Sequence, residues 1–204
     1  MLDAGGNGTD LAIRIPAAAV AMLPTNYNNW AFETTPQPGL NGRRGYQPRG
    51  KTLGGSSAIN AMIYIRGQAS DYDHWAALGN DGWSYNDLLP YFIRSENNAD
   101  LRDTFHGNNG PLHVSNLRSD NPFQHIYLES CQQAGFPFNP DFNGISQEGV
   151  GTYQVTHING ERCSASRACL EPHRATRRNL NVMTGAYVTR ILFEQNGEIN
   201  AQSV

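Results

Sequence analysis

The stretch Gly50-Lys51-Thr52-Leu53-Gly54-Gly55-Ser56-Ser57-Ala58-Ile59-Asn60, continuing through Met62-Ile63-Tyr64-Ile65-Arg66-Gly67, constrains this chain more than any other. Paired glycines let backbone amides come close to an anion because no Cβ stands in the way, and the serines that follow donate hydroxyls from the side. Asn60 adds a polar anchor inside an otherwise apolar run. The combination suits a phosphate-bearing cofactor.

The first half of the segment has a competing reading. Gly45-Tyr46-Gln47-Pro48-Arg49-Gly50-Lys51-Thr52 fits the P-loop pattern of nucleoside triphosphatases letter for letter, and that motif needs a buried strand before it and a helix after it. Pro38-Gly39-Leu40-Asn41-Gly42-Arg43-Arg44 cannot be a buried strand, and Leu53-Gly54-Gly55 is a poor helix start. The triphosphatase reading is therefore disfavoured. A non-catalytic nucleotide-binding or scaffold module is the broader alternative to an enzyme.

With 204 residues the chain can bury a real core, as one large domain or parts of two. A net charge of -3, with no block of like charge, gives no bulk attraction to nucleic acid. No apolar run approaches the ~18 residues of a membrane-spanning helix. Leu11 to Leu23 carries Arg14 and Pro16 and has no basic start, unlike a signal peptide. Cys131, Cys163 and Cys169 form no metal-ligand spacing and cannot all pair, which favours a reducing, cytoplasmic setting, with a peripheral place at a membrane left open. The six histidines, His74, His106, His113, His125, His157 and His173, show no metal spacing, and none has a partner in view that marks it as a base. No metal site and no catalytic residue are assigned.

Both ends read as cut. Met1-Leu2-Asp3-Ala4-Gly5-Gly6 resembles the end of a strand with its glycine turn, and Asn196-Gly197 is a hairpin signal followed by a tail, Ala201 to Val204, too short to finish a sheet. Between them, Pro16 opens a short helix through Leu23, stopped by Pro24, and residues 24 to 50 read as an extended covering loop. Ser70 with Asp73 caps a helix closed by Gly79, and Ser84 with Asp87 caps another that Pro90 bends. Leu112 and Val114, then Tyr153, Val155 and His157, alternate as strands do. Asn121-Pro122 starts a helix with Phe123, Ile126, Tyr127 and Ala134 on one face, and Ser164 caps one running toward Arg174, Arg177 and Arg178. Leu180 to Met183 and Tyr187 to Phe193 read as strands. Among the aromatics, Tyr64, Trp75, Trp83, Tyr85, Tyr91 and Phe92 read mostly as core, with Tyr64 and Trp83 as candidate pocket walls. The mixture, without steady βα alternation, points to α/β pieces interleaved with an α+β part.

The segment from Arg49 to Gly67, followed by Asp71-Tyr72-Asp73-His74-Trp75, resembles the first signature of the glucose-methanol-choline (GMC) flavin oxidoreductases, nearest the choline and alcohol dehydrogenase branch. The resemblance continues through Gly82-Trp83-Ser84-Tyr85, His106-Gly107, Gly110-Pro111-Leu112, Gly135-Phe136-Pro137, Asp141-Phe142-Asn143-Gly144, Gly149-Val150-Gly151, Arg162-Cys163-Ser164, Asn179 to Val182 and Tyr187-Val188. It implies an incomplete FAD-binding, Rossmann-like domain interleaved with part of an antiparallel-sheet substrate domain. On that reading residues 1–75 belong to the FAD-binding domain with its covering loop, 76–160 to the substrate domain, and 161–204 to the FAD-binding domain again, all truncated.

The same resemblance implies the site. Asp3 matches an acidic residue that binds the adenosine ribose of FAD. Gly54, Gly55, Ser56 and Ser57 match the loop beside the pyrophosphate and ribityl chain, Thr52 is counted with the cofactor-binding residues, and Asn60, Ala61, Met62 and Ile63 match the strip along the flavin. Val188 matches a position whose backbone meets the adenine. Some members tether FAD through a histidine at the position of Ile59, and an apolar side chain cannot do this, so FAD is expected to be noncovalent. The implied reaction is oxidation of a primary alcohol to an aldehyde, the hydride passing to flavin N5 and the proton to a histidine. The family's glycine-rich opening and its catalytic histidine are expected outside these residues. Which alcohol is used, and whether oxygen or a quinone takes the electrons, stays open.

Overall fold

The structure is a computed structural model that describes residues 1–119, 121–193 and 201–203. The chain forms two compact units: Met1–Asn60 with Ala165–Val204, and Ala61–Ser164. The unit boundaries thus fall at 60/61 and 164/165. No helix among the described residues is long and apolar enough to cross a membrane.

In the first unit, Asp10 starts α1 (Leu11–Arg14), its carboxylate accepting from Ala12 N–H at 3.0 Å, as an N-cap does. Pro16 opens a 3₁₀ turn over Pro16–Ala18 that runs into α2 (Ala19–Met22). The expected helix from Pro16 is present in two pieces. The expectation missed α1, whose four residues are too few for a periodic pattern. Residues 24 to 50 are more structured than a covering loop: β1 (Phe32–Glu33) and β2 (Tyr46–Gln47) pair antiparallel around a turn at Pro38–Leu40. Ile13, Met22, Ala58 and Ile59 make the apolar core, with Ala12 and Leu23 packed against it.

The second unit opens with α3 (Ala69–Ala77) and α4 (Tyr85–Ser95). The cap of α3 lies two residues before the expected Ser70: the Asp71 carboxylate accepts from Gln68 N–H at 2.9 Å, and Gly79 at φ +96 ends the helix. The Ser84–Asp87 capping box forms as read, with Pro90 inside the helix. Leu112 and Val114 lie on β4 (Leu112–Val114), which pairs parallel with β3 (Glu96–Asn98). The sequence reading lacked β3, because Glu-Asn-Asn carries no apolar alternation. Asn121 caps α5 (Pro122–Gln133) through Phe123 N–H at 3.1 Å. Its shared face stays in solvent, with Phe123 74%, Ile126 57% and Tyr127 66% exposed. Val155 bridges both Ile63 and Ser115, and β5 (His157–Ile158) pairs antiparallel with β6 (Glu161–Arg162). The aromatic residues cluster at the surface: Tyr72 meets Trp75, Tyr85 and Phe92 at centroid distances of 5.5 to 6.3 Å, while Trp75 and Trp83 remain about half exposed. A core position is therefore incorrect for Trp75 and Tyr91, and Trp83, the candidate pocket wall, also stands at the surface.

The chain then returns to the first unit. A π-turn at Ser166–Leu170 leads into α6 (Glu171–Arg174), and the helical amide of Ala165 donates to Ser57 Oγ at 2.9 Å. Of the two strands expected next, Leu180 to Met183 contributes a single parallel bridge, Leu2 with Met183, and the second shortens to β7 (Ile191–Phe193). The Asn196-Gly197 turn lies outside the described residues. The tail is not too short to pair: β8 (Ala201–Ser203) runs antiparallel to β7.

Candidate functional site

The glycine segment lies against the turn formed by the first residues of the chain. Leu53 N–H donates to the Gly6 carbonyl at 2.9 Å, and a parallel bridge joins Gly6 to Thr52. The approach is too close for side chains. A Cβ on Gly5 would stand 1.9 Å from the Lys51 carbonyl oxygen, and one on Gly50 would stand 2.0 Å from that of Gly55. Within the loop, Gly55 N–H donates to Thr52 O at 2.8 Å, Gly50 N–H to Ser56 Oγ at 3.1 Å, and Ser57 Oγ to Gly54 O. Gly54 and Gly55 take φ of +93 and +55, which glycine adopts without steric cost.

The outer side of this loop is open: a Cβ built on Gly6 or Gly55 would meet nothing within 4 Å. Ser56 is exposed beside it. An exposed hydroxyl beside free space over two glycines, Gly6 and Gly55, fits a phosphate-bearing group. Thr52 does not share this surface. It is 1% exposed, and its hydroxyl donates to Gly6 O at 3.3 Å, so it fastens the loop from inside.

Asp3 is half-buried, and its Oδ1 accepts from Gly5 N–H at 2.7 Å. Its carbonyl accepts from Ala186 N–H at 2.9 Å, two residues before the exposed Val188. The fold therefore brings the Asp3 turn to the chain that carries Val188, 185 residues later. Asn60 is exposed at the end of the first unit. In the second, Ala61 and Ile63 are exposed, and Met62 is half-buried with a left-handed φ of +62. That conformation is uncommon for a side chain other than glycine, and the Met62 carbonyl is held by Thr156 N–H at 2.8 Å.

The P-loop reading fails on context. β2 lies inside the motif and pairs with β1 at the surface, the residues after Thr52 form a 3₁₀ turn, and Lys51 Nζ sits 4.5 Å above the Trp30 ring. Magnesium-dependent ATP binding is expected to be at background in the chain and in Lys51→Ala alike, by equilibrium dialysis. Saturable binding abolished by the substitution would restore the reading.

Sequence reasoning missed the buried polar centre of the second unit. Glu96, with its side chain 0% exposed, accepts from Arg66 Nη2 at 2.7 Å and from Gly107 N–H at 3.1 Å, and lies 3.0 Å from His106 Nδ1. Burial pushes the Glu96 carboxyl up, but hydrogen bonds from His106, Asn98 and Gly107 and the Arg66 charge outweigh it and hold the group below its ordinary value. Asn98 donates to Glu96 Oε1 at 2.8 Å and to Gln154 Oε1 at 2.7 Å. The ligand-type atoms of Asp103, His106 and Asp141 lie within 4.8 Å of one another, although no metal spacing is visible along the chain. The linear hints are His106-Gly107 and Arg66-Gly67: Arg66 meets Glu96 30 residues on, and His106 meets Glu96 10 residues back and Asp141 35 residues on.

The GMC oxidoreductase family profile matches residues 4–204. The oxygen-dependent choline dehydrogenase of Brucella anthropi is 46% identical over 160 residues, which is 78% of this chain and 29% of that protein. The alcohol dehydrogenase [acceptor] of Pseudomonas putida is 40% identical over 205 residues, 100% of this chain and 37% of that protein. Among solved structures, pyridoxine 4-oxidase from Mesorbium loti superposes with a TM-score of 0.88 at 32% identity, covering 100% of this chain and 40% of that one. An FAD-dependent oxidoreductase from Chaetomium thermophilum gives a TM-score of 0.88 at 29% identity, covering 100% and 37%. The chain spans about a third of the length of the curated relatives it matches. With the mixed α/β fold and the open glycine loop, these matches place the chain in the GMC oxidoreductase family.

Proposed function

We propose that this chain supplies part of the flavin site and of the substrate-side shell of an FAD-dependent oxidoreductase that converts a primary alcohol, choline-like or aliphatic, to the aldehyde. The observation that carries the reading is the family match over residues 4–204, joined to relatives named for choline and alcohol oxidation. The loop geometry agrees with it. The exposed Ser56 hydroxyl stands beside open space over Gly55, suited to a pyrophosphate, and Thr52 holds that turn in place from behind. Asp3 is the residue for the ribose hydroxyls, and Val188 contributes backbone to the adenine. Asn60 supplies a polar contact along the flavin, and Ala61, Met62 and Ile63 exclude water from its ring.

When bound, FAD supplies the hydride acceptor at flavin N5, with oxygen or a quinone as the final oxidant. Attachment is noncovalent: Ile59 carries no nucleophile and is buried in the apolar core, 2% exposed. Residues 1–75 and 161–204 belong to the flavin side and 76–160 to the substrate side. No residue of this chain is assigned the proton transfer. The setting is cytoplasmic.

A chimera tests the reading. Residues 1–204 replace the matching segment of the Pseudomonas putida alcohol dehydrogenase, to which they align end to end. The chimera is expected to purify with flavin absorbance that a primary alcohol bleaches without oxygen. Asp3→Ala is expected to weaken FAD retention by about tenfold, the scale of one charge-assisted hydrogen bond. The 204-residue chain alone is expected to hold FAD poorly and to show no alcohol-dependent bleaching. A chimera that folds without flavin, or bleaching by the chain alone, sinks the corresponding part.

A further inference from the structure

The interior of the second unit contains a closed ring of polar contacts through two carboxylates and two basic side chains. His106 places Nδ1 3.0 Å from Glu96 Oε1 and Nε2 3.0 Å from Asp141 Oδ2. Glu96 Oε2 accepts from Arg66 Nη2 at 2.7 Å. Arg66 N–H donates to Asn143 Oδ1 at 2.8 Å, and Asn143 N–H donates to Asp141 Oδ1 at 2.9 Å, which closes the ring. Two amides brace it: Asn143 Nδ2 donates to Tyr64 O at 3.0 Å and Gln147 Nε2 to Arg66 O at 2.7 Å. The ring therefore ties the segment 64–66 to the loop 141–147. Between that loop and the start of α3 lies a cleft of about 470 Å³, lined among others by Arg66, Gln68, Ser70, Asn143, Ile145 and Gln147.

Both nitrogens of His106 face carboxylate oxygens. A neutral imidazole has one N–H and one lone pair, so one of these contacts would set a lone pair against an anion. An imidazolium satisfies both. Charge balance leads to the same state: Arg66 and protonated His106 neutralise Glu96 and Asp141, whereas neutral His106 leaves one negative charge uncompensated beside a fully buried carboxylate. The other titratable groups that face the ring favour the proton or leave it alone. Asp103, from the turn before His106, adds negative charge. Tyr64, raised by burial and then by Glu96, stays neutral.

We propose that the proton on His106 is a latch. It fastens the loop 141–147 to the segment 64–66, fixing one wall of the cleft, and its loss at alkaline pH frees the loop. The latch lies wholly within the second unit and does not depend on the flavin reading. Burial pushes the imidazolium pKa down, but the bonds to Asp141 and Glu96 outweigh it and raise the pKa from 6.5 to about 9. A raised folded-state pKa stabilises fully below 6.5, and the contribution is lost as pH rises through about 9. On the acid side, burial raises Asp141, but the His106 contact and the Asn143 N–H outweigh it, so its contribution fades only as pH falls below the ordinary carboxylate range.

The test follows the ¹⁵N signals of the His106 ring and the amide exchange of residues 141–147, corrected for intrinsic rates, with α5 amides as the internal reference. Both ring nitrogens are expected to carry protons at pH 7. Loop protection is expected to fall by roughly tenfold per pH unit between pH 7 and 9, the slope for releasing one proton on opening. Asp141→Asn is expected to lower the His106 midpoint by about one unit or more, and loop release with it. His106→Gln is expected to leave the loop open at every pH in that range. A neutral His106 at pH 7, loop protection that does not follow the titration, or zinc that displaces the proton while keeping the loop protected at pH 9 would each overturn the latch. The wild-type titration decides the matter even where a variant fails to fold.

Discussion

Replacing Glu96 by alanine is expected to destabilise the chain by about 3 to 5 kcal/mol, the cost of removing one partner from a buried ion pair. The Glu96 side chain is fully buried, and its two oxygens receive Arg66, Asn98, Gly107 and His106. Truncation would leave the Arg66 guanidinium, with its side chain 3% exposed, facing a void where its counter-charge stood. It would also leave the Gly107 amide unsatisfied. Glu96→Gln keeps an acceptor and loses the charge, and is expected to fall between alanine and wild type. The midpoint of urea unfolding at neutral pH, with the slope held in common, reads all three. An alanine variant within about 0.5 kcal/mol of wild type, the size of an ordinary surface change, would show that the network contributes little to folding.

The second large effect concerns a single methyl group. Gly50→Ala is expected to cost about 3 kcal/mol or more through overpacking, because the new Cβ would lie 2.0 Å from the Gly55 carbonyl oxygen and 2.3 Å from its carbon. Both obstructing atoms are backbone and cannot rotate away. Gly55→Ala supplies the contrast. Its Cβ meets nothing within 4 Å, so only the left-handed φ of +55 opposes it, at a cost of about 1 to 2 kcal/mol. Unfolding midpoints of the two variants, measured side by side, separate close approach from backbone conformation. If Gly50→Ala is no worse than Gly55→Ala, the tight packing of the loop is not a constraint on the fold.

Local features of this chain are legible because their causes lie within a few residues. Ser84 and Asp87 meet one turn apart, so their reciprocal cap follows from spacing alone. Asn121-Pro122 starts α5 for the same reason. The reading weakens where partners are distant. The apolar face of α5 has the periodicity of a buried surface, yet Phe123, Ile126 and Tyr127 stand in solvent, since periodicity says that residues share a face and not what covers it. The P-loop letters at Gly45 to Thr52 are another case: the pattern is local, but its chemistry depends on a strand and helix that the fold does not place there.

By itself the sequence determined the family and the glycine-serine turn, because both reside in the order of residues along one stretch. Only the tertiary structure decided that Thr52 works from inside that turn, and that Glu96 and Asn98, in so polar a run, would be buried. It also decided that His106 would stand between two carboxylates, Glu96 and Asp141, that lie 10 and 35 residues away. A charge can be buried only where opposite charges and donors converge on it. Here they come from 66, 96, 106 and 141, a convergence that no linear spacing encodes.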